Sequence, residues 1–213
     1  KEDMKMGYIS HTKEDIEAVL MGAYRTLTDM SSDLLLHGEL RADMVQSLNS
    51  TPNNLQEIKD GIIEPSNNFT LWGEFYRAIN YCNLVLANSE AVLEDDPTFS
   101  EVQLTYYQSE AKFVRALTYF YLVRIYDKVP YILEPTLADD SKLYYPNVSG
   151  DSILTEISAE LNQIGKNFLP IDYGKLEYNK GRASYNAVQA LLADIALWQF
   201  RYDDCMAHIQ KIE

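Results

Sequence analysis

The chain has 213 residues, 18 of them basic and 32 acidic, for a formal net charge of -14 at neutral pH. That charge repels phosphate backbones and anionic lipid surfaces, which argues against nucleic acid as a partner and against direct adhesion to a membrane. Its near-apolar runs, such as Ala116 to Val123, fall far short of the roughly 20 residues that span a bilayer.

The length suits one large domain or one and a half ordinary ones. The chain opens Lys1-Glu2-Asp3-Met4 without an apolar leader, and both a removed targeting segment and none at all remain open. Thr12 with Asp15 three residues later reads as a capping-box start, and Ile16, Val19, Leu20, Ala23, Tyr24 and Leu27 follow at helical spacing, predicting a helix to about Asp29. From there to Phe69 runs a segment rich in Asn, Ser, Asp and Pro. An excursion of that length in a compact domain is usually functional or mobile. Part of it, around Leu34 to Val45, reads as a short helix or turn. A second long helix is predicted from about Phe69 to Leu93, carrying Trp72, Phe75, Tyr76, Ile79, Cys82, Asn83 and Leu86 and closing before Asp95-Asp96-Pro97.

Ser100 with Gln103 caps the third helix, which differs from the others because its apolar residues do not keep to one side. At about 100° per residue, Val114, Leu117, Tyr121 and Ile125 share one side, Phe113, Ala116, Phe120 and Val123 another, and Ala111 and Leu122 a third. A helix apolar all round must be covered all round, so this one is expected in the middle of a helical stack. Its charges, Glu110, Lys112, Arg115 and Arg124, are scattered in angle and are expected to punctuate contacts with several neighbours. Asp127 or Lys128 takes a left-handed cap, and Pro130 forbids resumption.

An open stretch follows from Tyr131 to Gly150, then a fourth helix from Asp151 through Ile153, Ile157, Leu161 and Ile164, closing before Phe168-Leu169-Pro170. After a loop from Ile171 to Arg182, Ser184 caps a fifth helix, and a break at Arg201-Tyr202-Asp203 starts a sixth. In that last pair, Ala190, Ala193, Ala196 and Ala207 would let two helices approach closely while Tyr202 wedges the turn. Such spacing fits a tetratricopeptide hairpin or an ordinary antiparallel one. The chain ends inside the sixth helix, which should leave Ile209 and Ile212 exposed and points to the N-terminal part of a longer protein. Pairing one with two, three with four and five with six gives three stacked hairpins, an all-α fold of one helical region over 1–213 with a loop excursion at about 30–68.

Cys82 and Cys205 stand far apart with no metal-ligand or redox spacing, and read as small buried hydrophobes. His11, His37 and His208 are isolated from one another. No metal and no cofactor is expected.

Taken in order, several segments resemble the SusD/RagB-like outer-membrane nutrient-binding lipoproteins of Bacteroidetes. They are Gly22-Ala23-Tyr24-Arg25, Gly38-Glu39 with Asp43, and Trp72, Tyr76, Ile79 and Asn83. They continue through Glu110-Ala111-Lys112-Phe113-Val114-Arg115-Ala116, Tyr119 and Pro130, then Ile157, Leu161 and Leu169-Pro170. Gly181-Arg182-Ala183-Ser184, Ala187 and Ala190-Leu191-Leu192-Ala193 complete the match. Asp127 departs from the glycine usual before the Val-Pro pair, and family members look about twice as long, so the ligand site carried here would be partial. The resemblance implies a surface-exposed outer-membrane lipoprotein, lipidated upstream of Lys1. Its tetratricopeptide-like helices would dock on a SusC-like TonB-dependent barrel while loops hold an oligosaccharide or other nutrient.

A sugar site needs a flat aromatic face for C–H surface and amide, carboxylate or guanidinium groups for hydroxyls. Within the excursion, Arg41, Asp43, Asn49, Asn53, Asn54, Asn67 and Asn68 are polar candidates, with Trp72 or Tyr76 as the platform. Against this, Trp72 and Tyr76 share the helical face of Ile79 and Asn83, and loop asparagines commonly serve turns. Three sequons, at Asn49, Asn68 and Asn147, carry no weight in a bacterial protein. The acid pairs Glu39 with Asp43 and Asp95 with Asp96 read as surface carboxylates, and no nucleophile elbow or phosphate loop is present. Non-enzymatic nutrient capture therefore leads, ahead of a tetratricopeptide-type scaffold without a small ligand and, further behind, an all-helical glycosidase.

Overall fold

The computed structural model describes residues 11–42, 44–46, 48, 50–62, 64–70, 72–136 and 144–212. The expected all-α, tetratricopeptide-like stack is what these residues form. Helix α1 (Lys13–Asp29) starts at the Thr12/Asp15 capping box and buries Ile16, Leu20 and Ala23. The excursion then contributes α2 (Ser31–Leu35), a π-helical turn at Leu36–Leu40, α3 (Asn53–Lys59) and a 3₁₀ turn at Asn68–Thr70. The second long helix, α4 (Gly73–Asp95), begins four residues later than its apolar pattern suggests. The reason is local: Asn67 Oδ1 accepts the Phe69 N–H at 3.0 Å, and this side-chain turn competes with helical pairing.

Helix α5 (Glu101–Tyr126) opens with the Ser100/Gln103 capping box and packs against α1, α4, α6 (Gly150–Asn162) and α8 (Tyr185–Trp198). Covered on all these sides, it buries Val114, Tyr119, Phe120 and Leu122 to 1% exposure or less. Each such side chain is worth about 1.5–3 kcal/mol of transfer free energy. The expected hairpins are present, α1 on α4, α5 on α6, and α8 on α9 (Tyr202–Ile209), and α4 also packs along α5. A short helix, α7 (Leu176–Gly181), lies inside the loop expected from Ile171 to Arg182.

The end of α5 differs from the expected left-handed cap. Asp127 has φ 63 but ψ -62, and the Lys128 N–H donates to the Tyr126 carbonyl at 2.7 Å. This is a γ-turn of the rare positive-φ kind. It feeds strand β1 (Val129–Pro130), which pairs antiparallel with β2 (Asn147–Val148) across the base of the 131–146 connection. The α8–α9 turn also closes differently. Phe200 takes the left-handed position at φ 59, Arg201 N–H bonds Ala196 O at 2.8 Å and Phe200 N–H bonds Leu197 O at 3.0 Å, a Schellman closure. Tyr202 is exposed rather than wedged. Ala193 and Ala196 pack on Cys205, whereas Ala190 and Ala207 face outward. Ile209 and Ile212 are exposed, as expected of the last helix, and both cysteines are free and buried.

Candidate functional site

Three tyrosine and asparagine side chains of α4 lie along one helical face, Tyr76, Asn80 and Asn83, and together they strap down the chain that leaves β1. The Tyr76 hydroxyl donates to Pro130 O at 2.8 Å, Asn80 exchanges bonds with Thr136, and Asn83 Nδ2 donates to Ile132 O at 3.1 Å and Glu134 O at 3.2 Å. From α5 the Tyr119 hydroxyl bonds both N–H and C=O of Ile132. Asn83 Oδ1 in turn accepts from Arg115 Nη1 at 2.7 Å, and Arg115 Nη2 meets Glu160 at 2.6 Å. These bonds hold residues 130–136 against α4 and α5.

Trp72 stands at the start of α4, 38% exposed, with its ring 6.2 Å from Tyr76 and 5.5 Å from Tyr126. Tyr76 is half-buried and its hydroxyl is committed to Pro130, so Trp72 is the more exposed of the two rings. Burial lifts the Tyr126 phenol to about 12, and its hydroxyl has no partner among the described residues.

The excursion folds back on itself through its asparagines. Asn67 is buried, and its Nδ2 donates to Asn54 O at 2.7 Å and to Glu57 at 2.9 Å, so its amide serves the loop's own framework. Asn54 Oδ1 accepts its neighbour's Leu55 N–H. Asn53 and Asn68 are exposed at the starts of α3 and the 3₁₀ turn. Asp43 and Asn49 lie outside the described residues. The excursion is tied to Phe69 by His37, whose Nε2 meets the carbonyl oxygen at 2.6 Å, a contact that requires the proton on that nitrogen. Burial holds the His37 imidazole below its ordinary value against the opposing pull of this bond, and the nearby Arg41 charge lowers it further. The ring is therefore neutral at pH 7, with Nδ1 buried and unpartnered among the described residues.

Arg41 parts company with the asparagines. It lines a cavity of about 270 Å³ between the π-helical turn and the stack, together with Leu34, His37, Tyr121, Arg124 and Trp198. Arg124 lies 5.2 Å from the Phe120 centroid, 5.3 Å from Trp198 and 5.9 Å from Tyr121. Sequence reasoning placed Arg124 among scattered helix charges and passed over Trp198. The i−3 and i−4 spacing of Tyr121 and Phe120 to Arg124 carried a usable signal. The approach of Trp198 from α8 did not, because it crosses the stack.

A family model described as "Starch-binding associating with outer membrane", SusD-like, matches residues 1–197. The chain belongs to this SusD-like family. Among curated relatives, SusD-like protein P25 of Formosa agariphila is 25% identical over 94% of this chain and 40% of its own length. A SusD superfamily protein from Bacteroides thetaiotaomicron superposes with a TM-score of 0.81 at 23% identity, over 93% of this chain and 46% of that one. A laminarin-binding SusD-like protein superposes at 0.74 and 24% identity, over 94% and 43%. The chain thus spans less than half the length of the SusD-like proteins it matches, and at these identities the superpositions establish the fold.

Proposed function

We propose that this chain serves non-enzymatic capture of a glycan at the cell surface, as part of a SusD-like lipoprotein of the outer membrane that delivers cargo to a TonB-dependent, SusC-like transporter. The observation that carries the reading is the half-exposed Trp72 ring, braced by Tyr76 and Tyr126 at the edge of a loop layer that is itself fixed to the helical stack. A braced aromatic face offers a sugar ring stacking area without the entropy cost of ordering a mobile side chain. Asn53 and Asn68 supply exposed polar groups on the excursion, Arg41 lies apart from them in the cavity with Arg124 and Trp198, and Asp43 and Asn49 remain candidates from the sequence. The family description and the laminarin-binding neighbour support a glycan as cargo.

A scaffold reading draws on a different surface. Leu197, Phe200, Tyr202, Met206 and Ile209 are exposed together around the α8–α9 hairpin, a face suited to protein contact. Calorimetry of the full chain against laminarin, starch and acidic oligosaccharides, alongside co-purification with a TonB-dependent barrel, separates the two. Saturable glycan binding supports capture. Barrel association with no glycan binding supports the scaffold. Release of reducing ends from any of these polysaccharides refutes both.

A further inference from the structure

Glycan capture leaves the chemistry of the sugar open, and the cavity beneath the π-helical turn narrows it. On that reading, we infer that the ligand carries an anionic substituent, a carboxylate or a sulfate ester, held between Arg41 and Arg124 with its ring against Trp198.

The chain's net charge is -14, so a place where two guanidinium groups line one cavity runs against the general composition. Neither is consumed by a close ion pair among the described residues. Arg41 has none, and the Arg124 contact to Asp194 is loose at 3.8 Å. Where this protein does pair its arginines internally, the distances are 2.6 to 2.9 Å, as for Arg115 with Glu160 and Arg182 with Glu110 and Glu17. Among the described residues, Asp194 on α8 lies 3.8 Å from Arg124 and the Asp33 charge on α2 acts on the neighbouring His37, whose neutral ring adds no charge of its own.

Aromatic stacking positions Arg124 without neutralising it. Phe120, Tyr121 and Trp198 hold the guanidinium through their ring faces, which leaves N–H donors for an incoming group. The fork geometry of arginine matches carboxylate and sulfate oxygens in pairs. Trp198 is 46% exposed and the Arg124 side chain 34%, so the mouth is open to solvent. At about 270 Å³ the cavity sits just under the roughly 300 Å³ lower bound of small-ligand sites, enough for one substituted sugar unit of a longer chain. A second cleft of about 530 Å³, lined by Asp151, Gln199, Phe200 and Arg201, shares Trp198 with the first and gives that longer chain a path.

The test is calorimetry of the full chain with three oligosaccharides of equal length: an oligouronate, a sulfated galactan fragment and a neutral β-glucan. The expected result is a preference of about tenfold or more for one or both acidic probes over the neutral one, weakening as salt is raised. The two acidic arms distinguish carboxylate from sulfate. In Arg41→Gln and Arg124→Gln that preference collapses toward unity, and Arg124→Lys, which keeps the charge but loses the fork, falls between. Circular dichroism melting of each variant, together with the salt dependence of the unaltered protein, keeps the result independent of folding defects. Binding of the neutral glucan as tightly as the acidic probes, or an acid preference that survives both glutamine variants, overturns the anionic site while leaving glycan capture standing. Failure of all three probes to bind overturns both.

Discussion

Arg182 and Glu110 form a buried fork, with Nη2 2.7 Å from Oε1 and Nε 2.9 Å from Oε2, that locks the loop before α8 onto the centre of α5. Glu110 is fully buried, and it also accepts the Tyr24 hydroxyl of α1 at 2.8 Å. The Ala183 N–H donates back to that hydroxyl, and Arg182 Nη1 reaches Glu17 at 2.9 Å. Three separate pieces of chain thus meet at one carboxylate.

Removing one partner strands the other. Arg182→Ala is expected to cost about 3–5 kcal/mol in urea unfolding, because a buried carboxylate then lacks its counter-charge. The double replacement Glu110→Leu with Arg182→Met should cost less than Arg182→Ala alone. Burial raises the Glu110 carboxyl above its ordinary value, with the Arg182 and Tyr24 bonds opposing. The folded protein therefore takes this proton more readily than the unfolded chain, so the group's contribution is greatest in acid and declines as pH rises through its folded value. Acid unfolding should not begin here.

Acid unfolding should instead register Asp96. Its Oδ2 accepts the Lys13 N–H at 3.0 Å, and its Oδ1 accepts the Thr98 N–H at 2.8 Å and hydroxyl at 2.7 Å, joining the end of α4 to the start of α1. These donors, the Lys13 N–H first, hold the carboxyl below its ordinary 3.8. A lowered folded value means the stabilisation is present above 3.8 and is lost as pH falls through the folded value. Urea midpoints compared at about pH 5 and about pH 3 should drop less for Asp96→Asn than for the unaltered chain.

At the other end of α5, Gly150 sits where a side chain has no room. A Cβ there would stand 2.7 Å from Val123 Cγ1 and 2.9 Å from the Asp127 carbonyl oxygen. Gly150→Ala is expected to destabilise by about 1–3 kcal/mol through overpacking against the γ-turn. Asp127→Gly should stabilise by about 1 kcal/mol, the relief of a positive-φ aspartate outweighing the added freedom of the unfolded chain. Thermal melting reads both signs.

Trp72→Ala tests the platform. The ring rests on Tyr76 and Tyr126 but is 38% exposed, so its loss should leave the melting temperature nearly unchanged. Affinity for whichever oligosaccharide the full chain binds should fall by about 1–2 kcal/mol in calorimetry. A large drop in melting temperature with unaltered affinity would assign Trp72 to packing alone.

Much of the helical frame is legible in the sequence. Thr12, Ser100 and Ser184 marked helix starts because a hydroxyl at the cap satisfies N–H groups that the helix itself leaves unpaired. The all-round apolar pattern of α5 placed it centrally, since no solvated face was left to it. The excursion was legible only as an interruption. Asn67 looked like a ligand-facing amide, yet it is buried in bonds to Asn54 and Glu57, and nothing in an isolated asparagine signals which use it will find. The Tyr202 wedge and the close approach of Ala190 and Ala207 expected from the sequence are absent for a similar reason, because small-residue spacing suggests a close approach without fixing which side makes it.

The sequence by itself determined the six principal helices, that they stack, and a net charge of -14, because periodicity, caps and charge are local or additive properties. Only the tertiary structure decided that Arg182 closes on Glu110, that Asn83 straps the chain leaving β1, and that Arg41, Arg124 and Trp198 line one cavity. Those pairs are brought together by side-chain packing across helices. Their sequence separation carries no trace of the contact, and the geometry that makes it favourable exists only once the intervening helices are in place.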